Sequence, residues 1–421
     1  MLFEILTKKM KRIILVAATL MFAVAVSAQN EVVTVGSGED KEEVGVPESM
    51  RSDMDSMYCD WQTKYLLFTP DDCRQTPVGP VVTDSVIMER LGRLPATIEM
   101  PFNEVVRKFV DIYSNRLRKK VSFMLAAGNL YMPVIEEALD VYNMPIELKY
   151  LPVIESALNP KAKSRAGAAG LWQFMYRTGK IYGLENNSLV DERCDPYKAT
   201  WAAVRYMKDL YDIYKDWNLV LAAYNCGPGT INKAIHRSGG KTDFWELYPF
   251  LPKETRGYVP SFIAANYIMN YYCEHGITPM ETKTPVSVDT VMVDKDINLN
   301  QIAGVCKVDV EMLRSLNPQY KTDLVPGGRK PCSITMPHEM VGNFIDNQEK
   351  ILAFEAKKYQ NRRSTAKIGG PKGIVPKYHR VRSGETLGHI ARKYGTTVSR
   401  LRKLNGLRNN NIRAGKSLRV R

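Results

Sequence analysis

The C-terminal third of the chain repeats itself. At a fixed offset of 88, Leu299, Ile302, Ala303, Val310, Leu313, Leu316 and Asn317 recur as Leu387, Ile390, Ala391, Val398, Leu401, Leu404 and Asn405. Seven matches in one register require two copies of one small unit, because a repeated set of apolar positions is what a repeated core needs. Each copy opens on a strand-like run (291–293; 379–382) and continues as two short helices split near Val308-Asp309 or Gly395-Thr396. It closes on a second strand (334–336; 417–420), giving the order βααβ. Between the copies, 343–376 is charged and then rich in Gly, Pro and Lys, which reads as a short helix followed by a flexible spacer.

Upstream the period changes. Val105, Phe109, Ile112, Tyr113 and Leu117, then Leu130, Val134, Ile135, Ala138 and Leu139, fall three and four residues apart, the spacing of one helix face. Asp195 followed by Pro196 predicts a capped helix start, with Ala199, Ala203, Tyr206, Met207 and Leu210 on its buried face. Asn225-Cys226-Gly227-Pro228-Gly229 separates two further helices, and an aromatic-rich helix is predicted over 258–272. Strand signals are nearly absent from 91 to 277. The expected fold is multidomain: an all-α domain followed by two small βααβ modules. Residues 29–85 mix acids, Gly and Pro with little apolar period and predict a mobile lead-in with one short structured piece.

Charge and targeting narrow the partners. Of the formal net charge of +14, the stretch from Tyr378 to Arg421 supplies +11, as twelve Lys or Arg against Glu385 alone. Such a module attracts a polyanion. Lys8 to Arg12 form a basic patch, 13–26 an apolar run, and Val26-Ser27-Ala28 a small-residue cleavage site before Gln29, the pattern of a secretory signal. The run is shorter than the roughly 20 residues of a membrane-spanning helix. Gln29 stands where lipid attachment would require Cys, so no integral membrane anchor is expected after cleavage. Export to the periplasm or cell envelope makes an extracytoplasmic anionic polymer the partner in preference to nucleic acid.

Seven Cys in an exported chain can form disulfides, and the odd count leaves at least one thiol over. Cys59 with Cys73 and Cys306 with Cys332 are read as local pairs, with buried thiols as the equal alternative. No Cys-x-x-Cys or His-Glu-x-x-His spacing suggests a metal, and no cofactor is expected.

The segment richest in chemistry runs from Glu155 to Met175. Glu155 ends an apolar helix after Leu148, Leu151, Val153 and Ile154, and a carboxyl there loses hydration, which raises its pKa and suits it to general acid work. Alone it could equally be a solvated helix end. Gly167, Gly170 and neighbouring Ala residues let backbone approach a bound polymer, Trp172 offers a stacking face, and Gln173 offers amide donors and an acceptor. Core packing is the other reading for Trp172 and Met175, and the one adopted for Phe174. Farther on come Ala222-Ala223-Tyr224-Asn225-Cys226-Gly227-Pro228-Gly229 and Glu254-Thr255-Arg256-Gly257-Tyr258-Val259.

These three motifs, in this order, resemble the lytic transglycosylases of glycoside hydrolase family 23, which share the goose-type lysozyme fold. The repeats resemble LysM domains. The second copy carries the fuller signature, from Val381-Arg382-Ser383-Gly384-Glu385-Thr386-Leu387 through Leu404-Asn405-Gly406 to Ala414-Gly415-Lys416-Ser417-Leu418. The first departs from it at Asp294-Lys295-Asp296-Ile297. The combination is most similar to the membrane-bound lytic transglycosylase D group. The implied partition is a signal peptide at 1–28, a partly disordered lead-in at 29–90 and a lysozyme-like catalytic domain at 91–278. A degenerate LysM at 287–338, a linker at 339–377 and a LysM at 378–421 complete it.

The resemblance implies a peptidoglycan lytic transglycosylase with Glu155 as the single catalytic acid and base. Ser164, Trp172, Gln173, Met175, Tyr224, Asn225 and Tyr258 would bind substrate, Tyr258 facing Glu155 from the last helix. It further implies that Glu155 protonates the oxygen leaving C1 of N-acetylmuramic acid, the substrate acetamido group stabilises the cationic centre, and Glu155 then takes the C6 hydroxyl proton. A 1,6-anhydro ring results. An ordinary glycosidase needs a second carboxylate at about 5 to 9.5 Å. Glu147, eight residues back along a helix, would lie roughly 12 Å away. Asp191, Glu192 and Asp195 have no predicted place, so a hydrolytic muramidase is the alternative, followed by a glycan-binding protein without activity. The LysM units would hold the glycan strand, and a wall-associated regulatory partner is left open.

Overall fold

The computed structural model describes residues 32–36, 41–51, 73–281, 285, 287–359 and 378–420, except 382, 383, 395, 406, 408, 413 and 414. The expected signal, Cys59 and the spacer from 360 to 377 lie outside the described residues. The chain divides into two units, 1–361 and 362–421.

In the first unit, strands β1 (Val32–Val35) and β2 (Glu42–Gly45) form an antiparallel hairpin, followed by one turn of helix, α1 (Glu48–Arg51). Helices α2 (Asp84–Arg93), α3 (Glu104–Asp111) and α4 (Arg118–Val141) follow, the last two joined by a π-helical turn, Ile112–Arg116. After a 3-10 turn, Ile146–Tyr150, come α5 (Leu151–Ser156), α6 (Tyr176–Ile181), α7 (Pro196–Tyr214), α8 (Trp217–Cys226), α9 (Pro228–Arg237) and α10 (Lys253–Asn270).

The punctuation is as the sequence predicts. Asp195 caps α7, its carboxylate accepting from the amides of Tyr197 and Lys198 at 3.0 Å, with Pro196 in the first turn. Gly227, at φ 83°, divides α8 from α9. The last helix begins at Lys253, five residues before the predicted start, because Pro252 supplies an extended residue ahead of a helical run that the aromatic pattern alone does not mark. Phe109, Ile135, Leu139, Ala203, Met207, Val259 and Phe262 share one core and are closed to solvent. Among the described residues, no helix is long and apolar enough to cross a membrane.

The lead-in departs from expectation in its described parts. The β2 strand and α1 pack on the helical domain, with Val44 and Val46 in the main core. Gly257 in α10 has to be glycine because the carbonyl oxygen of Gly45 occupies the place of a Cβ. Farther along, Cys73 pairs with Cys273, with Cα atoms 5.0 Å apart, and not with Cys59. Buried Arg118 completes this seam by donating to the carbonyls of Thr76 at 2.8 Å, His275 at 2.8 Å and Gly276 at 2.5 Å.

The first repeat has two strand pairs where one was expected. Strand β3 (Val288–Val293) pairs with β6 (Cys332–Pro337), and β4 (Asp296–Asn298) pairs with β5 (Leu324–Pro326), around α11 (Leu299–Cys306) and α12 (Val310–Leu316). Cys306 and Cys332 are free thiols, so the expected staple is not formed. The predicted linker is helical at its start: α13 (Val341–Asp346) and α14 (Gln348–Ala353) bury Phe344 and Ile351 in the core of this repeat. The Gln301 amide reaches the carbonyls of Leu352 and Phe354 at 3.2 and 2.9 Å.

This repeat is docked on the helical domain. Val190 and Tyr320 form an antiparallel bridge, the Asp191 amide donates to Gln319 and the Lys321 amide to Leu189, both at 2.8 Å. Lys330 approaches Glu192 at 3.8 Å and Glu185 at 3.9 Å.

The second unit has the βααβ order: β7 (Tyr378–Arg380) pairs with β8 (Ser417–Arg419), flanking α15 (Leu387–Lys393) and α16 (Val398–Asn405). Leu387, Ile390, Ala391 and Leu401, four of the repeated positions, form its core with Val381, Leu418 and Val420.

Candidate active site

Glu155 sits in the last turn of α5, a six-residue helix that is otherwise buried. The helix stops because Ala157 and Leu158 take left-handed conformations, at φ 52° and 60°. The amide of Ala157 returns to the Val153 carbonyl and that of Leu158 to Pro152, satisfying two of the carbonyls a helix end leaves open. This sharp stop leaves the Glu155 carboxyl facing α10. There the Tyr258 hydroxyl donates to Glu155 Oε1. Burial raises the Glu155 pKa to about 8, opposed by the Tyr258 hydrogen bond and supported by the negative charge of Glu254. The carboxyl is therefore mostly protonated at neutral pH. The Tyr258 and Tyr224 hydroxyls are held far above their usual range by burial and by the nearby Glu155, so both remain neutral donors.

Tyr224, on the last turn of α8, donates from its hydroxyl to the Trp172 carbonyl at 2.8 Å. Asn225 is fixed by Thr255, whose hydroxyl donates to Asn225 Oδ1 at 2.9 Å. Burial pushes up the pKa of the neighbouring Cys226 thiol, which leaves it protonated and a poor nucleophile.

The Gly-rich loop is held by its own side chains. Ser164 Oγ accepts from the Ala168 amide at 3.0 Å, and the Gln173 amide nitrogen donates to the carbonyls of Ala162 at 3.2 Å and Gly170 at 2.7 Å. Gly170, at φ 87°, passes so close to the Arg193 carbonyl that no side chain fits. Arg193 in turn donates to the carbonyls of Gly167 and Phe174 at 2.8 and 3.0 Å, and is itself held in a buried pair with Asp191 at 2.8 Å.

One expected site residue is elsewhere. Trp172 is 0% exposed, with its indole nitrogen donating to Thr200 at 2.9 Å, so it is a core residue and offers no stacking face. Its backbone carbonyl, not its ring, meets Tyr224. Met175, by contrast, is 46% exposed at the start of α6. The other acids have structural partners. Glu147 accepts from the amides of Thr97 and Ile98, Glu192 pairs with Lys198 at 2.6 Å, and Asp195 is a helix cap.

Two neighbours carry no role in the sequence reading. Thr255 lies within a recognised motif, but its task depends on Asn225, thirty residues away. Tyr206 lies with its ring centroid 5.3 Å from those of both Tyr224 and Tyr182, tilted against each, and so packs beside the Tyr224 ring. Its helical spacing marks it only as a buried-face residue.

Residues 132–246 match the transglycosylase SLT domain, 287–353 the LysM-like domain of the lytic transglycosylase MltD, and 379–421 the LysM domain. The chain therefore carries a transglycosylase SLT domain followed by two LysM-type domains. The SLT match includes Glu155, Tyr224 and Asn225, and the helix bearing Tyr258 follows it. Membrane-bound lytic murein transglycosylase D of Escherichia coli K12 is 31% identical over 294 residues, 69% of this chain and 63% of that protein. The chain thus spans somewhat less than two thirds of that relative. The soluble lytic murein transglycosylase of the same organism is 34% identical over 126 residues, covering 28% of this chain and 19% of its own. The crystal structure of the 70 kDa soluble lytic transglycosylase from E. coli covers 36% of this chain and 26% of its own, at 25% identity and a TM-score of 0.30.

Proposed function

We propose that this chain is an exported peptidoglycan lytic transglycosylase. It cleaves the β-1,4 bond between N-acetylmuramic acid and N-acetylglucosamine without water and releases 1,6-anhydromuropeptides. The observation that carries this reading is the Glu155 carboxyl, whose hydrogen bond through Oε1 to the Tyr258 hydroxyl and whose burial, raising its pKa to about 8, suit it to general acid work. With Tyr258 on Oε1, Oε2 is the atom that delivers the proton to the leaving oxygen. Once ionised, the same carboxylate is a base of matched strength for the C6 hydroxyl, since a group with a pKa near the working pH serves in both directions. Tyr224 and Asn225 flank the reacting sugar, and Ser164, Gln173 and Met175 line the approach. The LysM-type domains bind the same glycan, raising its local concentration at the SLT domain. The net charge of +11 between Tyr378 and Arg421 favours a wall polymer whose stem peptides carry carboxylates.

A muramidase is the second reading, because Glu254 acts electrostatically on Glu155 and could serve as a base for water. Mass spectrometry of muropeptides released from purified peptidoglycan separates the two. Products one water lighter than hydrolysis products, lost in Glu155→Gln, are expected. Hydrated reducing ends would sink the non-hydrolytic reading, and release by Glu155→Gln at the unmodified rate would remove Glu155 from the chemistry.

A further inference from the structure

We propose that residues 42–51 are a positioning strap for the Glu155–Tyr258 pair, with Ser49 as its positioning residue. The inference rests on Glu155 being the reacting group.

The argument begins with an unfinished helix end. The last four carbonyls of a helix have no partner within it. In α5, Pro152 and Val153 receive the returning amides of Leu158 and Ala157. The Ile154 carbonyl, one peptide before Glu155, receives the hydroxyl of Ser49 from α1. Ser49 is 6% exposed and 105 residues away in sequence. Its own carbonyl and that of Met50 accept from the buried ammonium of Lys120 on α4, each at 3.1 Å. The strap is thus fastened to a buried ammonium by charge-assisted hydrogen bonds. Glu48, the preceding residue, accepts from the Arg165 amide in the Gly-rich loop at 3.4 Å.

The other end of the strap holds the opposite partner. Strand β2 lies on the first turns of α10, with Gly45 against the backbone of Glu254 and against Gly257, the residue before Tyr258. Glu43 pairs with Lys253 at 2.9 Å and Glu42 pairs with Arg256. One ten-residue segment therefore touches the helix that bears Glu155 and the helix that carries Tyr258, two packed elements that the hydrogen bond between these residues, 103 positions apart, joins at the site. Displacement of about 1 Å at such a contact can cost on the order of 100-fold in rate. It would also admit water to the carboxyl.

The test uses the mature full-length protein with carboxyl-13C glutamate. The Glu155 resonance is assigned by its absence from Glu155→Gln and followed against pH, beside kcat and KM for muropeptide release. Ser49→Ala is expected to move the Glu155 midpoint from about 8 toward the ordinary carboxyl value of 4.5. It should lower kcat by roughly tenfold or more with KM changed less than about twofold. Ser49→Thr, which keeps the hydroxyl, should retain both properties. If Ser49→Ala does not fold, Glu42→Gln combined with Glu43→Gln loosens the β2 end from the protein's surface, and a smaller shift in the same direction is expected. An unchanged midpoint and kcat would overturn the proposal. So would a loss of activity confined to KM or to thermal stability, which would make the strap a support of the fold alone. Should Glu155→Gln prove as active as the parent, the catalytic reading fails separately, while the titration still reports whether the strap governs this carboxyl.

Discussion

The Tyr258 hydroxyl donates to Glu155 Oε1 across two helices whose residues are 103 positions apart. That hydrogen bond stabilises the carboxylate, so it holds the Glu155 pKa below the value burial alone would impose. Tyr258→Phe is therefore expected to raise the Glu155 midpoint and carry the alkaline limb of kcat/KM upward, with kcat lower by about tenfold. A limb that moves down, or not at all, would contradict this.

The pH dependence has a defined sign. In the proposed mechanism cleavage uses protonated Glu155, so muropeptide release should fall as pH rises through about 8. Folding is affected in the same window. A carboxyl whose folded pKa is raised binds more protons folded than unfolded between 4.5 and about 8, and stability declines across that interval as pH rises. Glu155→Gln should melt higher than the parent at pH 8.5 and show no such advantage at pH 4, in thermal unfolding followed by circular dichroism.

Trp172 serves the core, which separates its effect from that of a sugar-stacking residue. Trp172→Phe removes the donor to Thr200 and leaves a void where the second ring was. A loss of about 1 to 3 kcal/mol in chemical denaturation is expected, with KM unchanged. A raised KM at unaltered stability would restore the stacking role.

Cys73 and Cys273 close a loop with a sequence separation of 200 residues. Cys73→Ser with Cys273→Ser should cost about 2 to 4 kcal/mol of stability. Reduction of the parent by dithiothreitol should reproduce the loss. Equal melting of oxidised and reduced protein would argue against the bridge.

Glu254→Gln tests the second carboxylate. Its charge raises the Glu155 pKa, so its removal should lower the alkaline limb slightly while 1,6-anhydro products persist. Loss of product formation altogether would instead make Glu254 a participant.

Much of this was legible because it is local. The cap at Asp195, the break at Gly227 and the apolar helix before Glu155 are written in neighbouring residues, and local propensity decides them. What failed was the assignment of direction and distant partnership. Trp172 follows a Gly-rich loop, and nothing nearby says that its ring turns inward to Thr200 on α7. Cys73 has Cys59 close in sequence, yet the fold brings it Cys273. Strand β2 alternates too briefly to signal a strand, and its place is set by contact with α10. The extra β4 and β5 pair likewise draws its stability from the first repeat's core, in which Ile297 and Val325 are buried, whereas the short helix expected after 343 is present as α13 and α14.

The bridge between Val190 and Tyr320 bears on how such a chain can be recombined. A freely jointed module can be lost or exchanged in evolution with no change to its neighbour. The first repeat cannot, because its departure would leave the Leu189 carbonyl and the Asp191 amide as an open strand edge beside the buried Asp191–Arg193 pair. Residues 185–192 and 319–330 therefore form a matched pair of surfaces, and a chimera that changes one side without the other should aggregate where the parent does not.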